Sequence, residues 1–269
     1  MDGHVLMLHT GRSGSTLLGD MLGQHPQVMW DGEVLEKLLH RMSRREGCGI
    51  GQLFGRLSVE QAIAEIVRRQ RLLAGGRIYG IEIQDYHLDF FGLDVAGLIA
   101  ALRPLGFTQF VVLDRKDQVR KVVSHIVALD RHTHHIHPGE QIRGGKVQIV
   151  PERVYVGHRF RTMAKVLKSY ELFLVEARTE LAQGNVLELD YETHVENNPH
   201  DGYRRICHSI GVEPREPNVN FGKTAPQPLS QIVANFDEMT AYLEARDLIA
   251  PHKHATEHAE GGDKPCEGS

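Results

Sequence analysis

Apolar residues follow two periods along the chain, and the two take turns. Short unbroken apolar runs at Val5 to Leu8, Ile78 to Ile83, Phe107 to Leu113 and Val186 to Leu189 are rich in β-branched and aliphatic residues, as in strands buried on both faces. Between and beyond them apolar positions recur every three or four residues, the spacing of amphipathic helices, over 15–24, 34–44, 59–73, 93–102, 118–129, 154–182, 202–210 and 229–245. The longest of these carries Val156, Phe160, Met163, Val166, Tyr170, Phe173, Ala177 and Leu181 on one continuous face. Strands alternating with helices predict right-handed crossovers and an α/β fold, a central parallel sheet flanked by helices on both faces. Ligands of such sheets sit beyond the carboxyl ends of the strands. Residues 131–153, RHTHHIHPGEQIRGGKVQIVPER, interrupt the pattern and are long enough for a functional loop or lid.

With 269 residues, 41% of them hydrophobic, the chain is expected to form one main domain over 1–248. The remainder, 249–269, is polar, rich in Gly, Pro and His and without periodicity, so a disordered tail is expected there. The 31 basic and 35 acidic residues leave a net charge of -4 spread along the sequence, which argues against nucleic acid or an anionic membrane as partner. Any anion site must therefore be local. No apolar run approaches the roughly 18 residues of a membrane span, and the opening Met-Asp-Gly-His is not a secretion signal, so a cytoplasmic protein is expected. Cys48, Cys207 and Cys266 are odd in number and far apart, with neither a disulfide framework nor zinc spacing.

The first strand runs into HTGRSGSTLL, His9 to Leu18. Gly11 and Gly14 permit a tight turn, Ser15 and Thr16 stand where the next helix begins, and free amides at a helix N-terminus bind phosphate or sulfate. Arg12 adds a planar cation that matches such oxyanions. A plain capped turn would account for the glycines and serines but not for the whole cluster. A Walker A loop is not present: its glycines would be farther apart, and Ser15 occupies the place of its lysine. The dinucleotide pattern G-x-G-x-x-G is absent too.

TGRSGSTLLGDMLGQHPQV is similar to the 5'-phosphosulfate loop of sulfotransferases that use 3'-phosphoadenosine 5'-phosphosulfate (PAPS), especially those of the bacterial carbohydrate and nodulation-factor type. VVLDRKDQVRKVVSHIVAL resembles that family's 3'-phosphate element, with Arg115 and Ser124 nine residues apart, and GKTAPQPLSQIVANFDEM resembles its C-terminal nucleotide loop, with Lys223. The resemblance spans residues 5 to 240. It implies a P-loop-like three-layer fold, PAPS as cosubstrate without a metal, and sulfuryl transfer to a hydroxyl of a small polar, glycan or glycolipid acceptor. It also implies Gly11, Arg12, Ser13, Gly14, Ser15, Thr16, Arg115, Ser124 and Lys223 as cosubstrate contacts, with Arg12 and Glu33 catalytic. In one departure, relatives often carry lysine where this chain has Glu82. Read singly, Arg115 could cap a strand, Ser124 could bond back to its own helix, and Lys223 could be solvated.

For the proton-accepting base, WDGEVL places Glu33 after an Asp-Gly turn, and the family resemblance assigns a glutamate here that role. Its alternative is a cap on the helix that starts at Val34. His25 is the competing base, although His25-Pro26 reads as a helix-ending turn, and Asp31 reads as fixing its own turn. His125, His132, His134, His135 and His137 lack a zinc frame and read instead as an acceptor-side lid together with Arg131. Two other functions stay open: a non-catalytic nucleotide-binding protein, and a small-molecule kinase with a degenerate phosphate loop. The acceptor and the oligomeric state, a homodimer included, are open as well.

Overall fold

The computed structural model describes residues 3–43, 55, 57–133, 137, 140, 144–223 and 225–250. Its strands are β1 (His4–His9), β2 (Val28–Glu33), β3 (Ile78–Gln84), β4 (Phe107–Asp114), β5 (Val154–Val156), β6 (Arg159–Arg161) and β7 (Asn185–Asp190). Helices α1 (Ser15–Gly23), α2 (Val34–Ser43), α3 (Val59–Leu72), α4 (Asp85–Phe91), α5 (Val95–Leu102) and α6 (Gln118–Asp130) alternate with the first four strands. After the β5–β6 hairpin come α7 (Met163–Leu181), α8 (Tyr191–His194), α9 (Pro199–Ser209), α10 (Leu229–Ile232) and α11 (Phe236–Glu244).

The main sheet runs β2-β3-β1-β4-β7, and all of its pairings are parallel. Period-two alternation along β1 sends Leu6 and Leu8 to one face, where they pack with α2, α3, α5 and α7. Val5 and Met7 go to the other, against α1 and α9. The expected α/β sheet with helices on both faces is thus present. A third apolar cluster joins α6, the hairpin, the first half of α7, α10 and α11. Because β3 and β4 flank β1 while the chain leaves β1 toward β2, the carboxyl end of β1 is a switch point, where two crossovers diverge and leave a crevice.

Four elements differ from the sequence expectation, each for a local reason. β2 was not anticipated: Asp31-Gly32 reads as a turn but forms a bulge in an edge strand, with Gly32 at φ 65 and the register shifting between Trp30 and Glu33. The helix expected from Val154 begins only at Met163, capped by Thr162, which accepts from the Lys165 N–H at 3.2 Å. Residues 154–161 form the β5–β6 hairpin instead, because Gly157 and His158 both adopt φ 61, the left-handed pair that a two-residue hairpin turn requires. The segment 229–245 is two helices: Val147 donates its N–H to the Ile232 carbonyl and accepts from the Ala234 N–H, both at 2.8 Å, drawing Val233 into an extended bridge. That contact also anchors the end of the 131–153 loop, where Val147 and Ile149 are buried. Finally, α4 follows β3 directly, with Gln84 as its N-cap.

Cys207 is buried and unpaired, while Cys48 and Cys266 lie outside the described residues, as does 251–269 of the expected tail. Among the described residues, no helix is long and apolar enough to cross a membrane.

Trp30 of β2 lies over Gly80 of β3, its register partner, where an added Cβ would stand 2.2 Å from the indole Cε3. Gly80→Val is expected to cost about 1–3 kcal/mol through overpacking. The intrinsic fluorescence of Trp30, the chain's one tryptophan, reads the lowered midpoint directly in a urea titration.

Candidate active site

The turn that follows β1 is built from two left-handed residues, Arg12 (φ 61) and Gly14 (φ 87). A non-glycine residue held there costs of order 1 kcal/mol, a strain that surrounding contacts must sustain. One such contact is the Ser13 hydroxyl, which donates to the Thr10 carbonyl at 2.9 Å. Both glycines are sterically required. A Cβ on Gly14 would stand 2.9 Å from Val195 and 3.0 Å from Tyr191, and one on Gly11 would stand 2.6 Å from Gln84 Oε1. Gly14 is the N-cap of α1 and offers no side chain, so the first-turn amides at Ser15, Thr16 and Leu17 have no helical acceptor. The Ser15 hydroxyl is turned inward to Glu82, and that of Ser13 is already used. Any contribution from these two serines to a bound anion therefore comes from backbone N–H groups.

Two residues more than a hundred positions away close over this turn. β4 and α6 bring Arg115 and Ser124 to Arg12: Arg115 Nη1 donates to the Arg12 carbonyl at 3.0 Å, and Arg12 Nε donates to Ser124 Oγ at 3.1 Å. The Arg115 guanidinium lies 4.2 Å from the Tyr191 ring centroid, and its buried Nε has no hydrogen-bond partner among the described residues. Burial, and next the Arg115 charge, lower the Arg12 guanidinium to about 10; Tyr191 and Glu33 oppose that fall. Lys223 stands apart from these contacts, with Nζ 3.2 Å from Glu196 Oε1 at the surface.

Glu33 ends β2 in register with Glu82 of β3. Its carboxylate accepts from Gln84 Nε2, and Gln84 in turn packs against Gly11, so one amide side chain spans the carboxylate and the turn that follows β1. The bulge at Gly32 is what aims Glu33 at this edge. Glu82, the departure from the resembling family, is buried: Trp30 Nε1 donates to its Oε1 at 2.6 Å and His9 Nε2 lies 3.4 Å from its Oε2. Burial opposes its charge, but His9, Trp30 and Ser15 hold its carboxyl below the ordinary value.

His25 is committed elsewhere. Its Nδ1 accepts from the Gln27 N–H at 3.2 Å and its Nε2 donates to the Glu213 carbonyl at 3.0 Å, which leaves no nitrogen for a substrate proton. Asp31 holds the bulge, accepting from the Tyr79 hydroxyl at 2.7 Å and from Lys37. In the histidine-rich loop, His137 stacks on Phe221 and donates to the Asn220 carbonyl at 3.0 Å, while Arg131 donates to the Gly145 carbonyl at 3.0 Å. His134 and His135 lie outside the described residues.

The structure adds groups that periodicity could not single out, namely Gln84, His87, Glu36 and Lys121. Glu36, three residues past Glu33, accepts from the Tyr86 hydroxyl at 2.7 Å and lies 3.3–3.4 Å from His87 Nε2 and His158 Nε2, with His40 Nε2 at 3.2 Å. Burial opposes its charge, yet His158, His87 and Tyr86 hold its carboxyl far below the usual range. Ligating atoms of His9, Glu33 and Glu82, and of Glu33, Glu36 and His87, come within 4.8 Å of one another. In the second group His87 Nδ1 accepts the Gln84 N–H at 3.0 Å, so the neutral ring carries its proton on Nε2 and meets the carboxylates as a donor, not as a metal ligand.

No protein-family model matches the chain, and no curated protein matches it significantly. Among solved structures, a sulfotransferase from Alicyclobacillus acidocaldarius is similar at 14% identity and TM-score 0.49, over 91% of this chain and 96% of that one. The sulfotransferase domain of the Synechococcus PCC 7002 olefin synthase is similar at 16% and 0.46, over 93% and 90%. The sulfotransferase domain of the curacin biosynthetic pathway is similar at 15% and 0.47, over 94% and 93%.

His158 ties the β5–β6 hairpin to α2 through Glu36, which raises its imidazole above the ordinary 6.5. A raised value means that the stabilisation is complete below about 6.5 and is lost as pH rises through the folded-state value. His158→Asn keeps a residue tolerant of the left-handed turn but removes the charge. Its stability deficit, of order 0.5 kcal/mol for a partly exposed pair, is expected in urea titrations at pH 5.5 and absent at pH 8.5.

Proposed function

We propose that this chain is a sulfotransferase that moves the sulfuryl group of PAPS to a hydroxyl of a small polar or carbohydrate-containing acceptor. The observation that carries the reading is the convergence of Arg12, Arg115 and Ser124, 103 and 112 positions apart in sequence, on one glycine turn at the sheet's switch point. Arg12 and the motif of Arg115 and Ser124 stand for the two phosphate-binding elements of the resembling family, and a single nucleotide bearing anions at both ends explains why they meet.

The groups present suit such a ligand. Two guanidiniums meet at the turn, one keeps a buried N–H without an acceptor among the described residues, and the amides opening α1 point the positive end of a helix toward the same place. PAPS, once bound, supplies an activated sulfuryl group on a phosphate leaving group. Arg12 and the amides at residues 14–16 hold the phosphosulfate end and stabilise charge on the departing oxygen. Arg115 and Ser124 hold the 3'-phosphate, and Lys223, from the loop beyond α9, joins them by exchanging Glu196 for the phosphate. Glu33, oriented by Gln84 and within electrostatic reach of Arg12, takes the proton of the acceptor hydroxyl. A kinase reading lacks the loop lysine that would meet the terminal phosphates of ATP.

Calorimetric titration is expected to show 3'-phosphoadenosine 5'-phosphate binding without magnesium, more tightly than magnesium ATP, with affinity lowered at least about tenfold by Arg115→Ala. Tighter binding of magnesium ATP would overturn the reading. Incubation of host extract with radiolabelled PAPS is expected to label an acceptor. Glu33→Gln should lower that labelling by about 10²–10⁴ with nucleotide affinity preserved, whereas a non-catalytic binding protein would label nothing.

A further inference from the structure

Lys121 is fully buried, an uncommon situation for a lysine. It lies one turn before Ser124 on the same face of α6 and reaches beneath the anion turn, where its ammonium donates to the Thr10 hydroxyl and lies 4.7 Å from the Tyr170 ring centroid. Among the described residues no carboxylate comes within ion-pairing distance of it. The charges that face it are farther off: Asp114 at the end of β4, Asp85 opening α4 and Glu192 on α8 attract it, and Arg115 repels it. Asp85 is itself buried, which pushes its carboxyl up and weakens it as a counterion. Tyr170 is held neutral, since burial raises its hydroxyl. The fold thus keeps a cation under the turn with one hydroxyl, one ring face and no close anion.

We propose that Lys121 is a positioning residue of the anion site, a third positive charge that fixes Thr10 at the start of the turn and is completed by the bound oxyanion above it. The inference rests on the anion-binding reading of the turn. Two consequences follow. First, Thr10 carries both the Lys121 bond, through its hydroxyl, and the Ser13 bond, through its carbonyl, so losing the ammonium loosens the Arg12–Gly14 backbone from below. Second, the proton on Lys121 and the anion are linked. Burial lowers the ammonium to about 8 in the free protein. An arriving anion favours the charged form and raises that value, so affinity is full below pH 8 and declines as pH rises from the free value toward the bound one.

The test is calorimetric titration of 3'-phosphoadenosine 5'-phosphate into the full chain at pH 8.5, in two buffers of different ionisation enthalpy. The unaltered protein is expected to take up a fraction of a proton on binding. Lys121→Met is expected to abolish the uptake and weaken binding by roughly tenfold, the scale of one charge acting across a partly buried site. Lys121→Arg, which stays charged at this pH, should abolish the uptake while recovering part of the affinity. Circular dichroism establishes that the variants are folded, and the uptake by the unaltered chain is informative even if Lys121→Met is not. Tight binding with no proton uptake, or uptake that persists in Lys121→Arg, overturns the role of Lys121 and leaves the anion site standing. No binding by the unaltered protein overturns both.

Discussion

Two like charges set the terms for the rest of this molecule. Arg12 in the turn after β1 and Arg115 at the end of β4 meet, the second bonded to the carbonyl of the first, and two guanidiniums so close, one buried and one half-buried, are tolerable only where the surroundings compensate them. The groups that meet them include a serine hydroxyl, a tyrosine face and the field of Glu33. Lys121 adds a further cation from beneath. On the proposed reading this local gathering of positive charge, inside a chain of net charge -4, is where the anion binds, and the cost of assembling it is recovered when the ligand arrives.

The opposite sign gathers on the neighbouring strands. β2, β3 and the first turn of α2 bring Glu33, Glu82 and Glu36 to the same edge of the sheet, each met by donors: Gln84 for Glu33, Trp30 and His9 for Glu82, Tyr86, His87 and His158 for Glu36. Cations beyond β1 and β4 and carboxylates beyond β2, β3 and at the start of α2 form a polarised arrangement, which the proposed transfer would use to send an anion and a proton in different directions. The bulge at Asp31-Gly32 makes this polarity possible, since without the inserted residue the side chain at position 33 would fall on the other face of the strand.

The framework around this edge is rigid where it must be. Thr10, Ser13, Ser15 and Gln84 spend their side-chain hydrogen bonds on the turn and its walls, and the hairpin, α2 and α4 are joined through Glu36 and its histidines. The proposed transfer depends on donors already oriented before the ligand binds.

The amino-acid sequence by itself determined four of the sheet's five strands, the helical layers, and the turn between β1 and α1, because these rest on local periodicity and on residues adjacent in the chain. Arg115 and Ser124 were legible only as a motif, and their meeting with Arg12 is a fact of strand order. What tertiary structure alone decided depends on contacts between distant segments or on backbone conformation that composition does not announce. The left-handed pair at Gly157-His158 made a hairpin of a helical pattern, a bulge made a strand of an apparent turn, and two backbone hydrogen bonds to Val147 split the segment 229–245. The same holds for Lys121, Gln84 and Glu36, whose spacing is that of ordinary surface residues: only the packing of α6 beside α7 and of α2 beside β3 brings each of them a partner distant in sequence, Thr10, Glu33 and Tyr86.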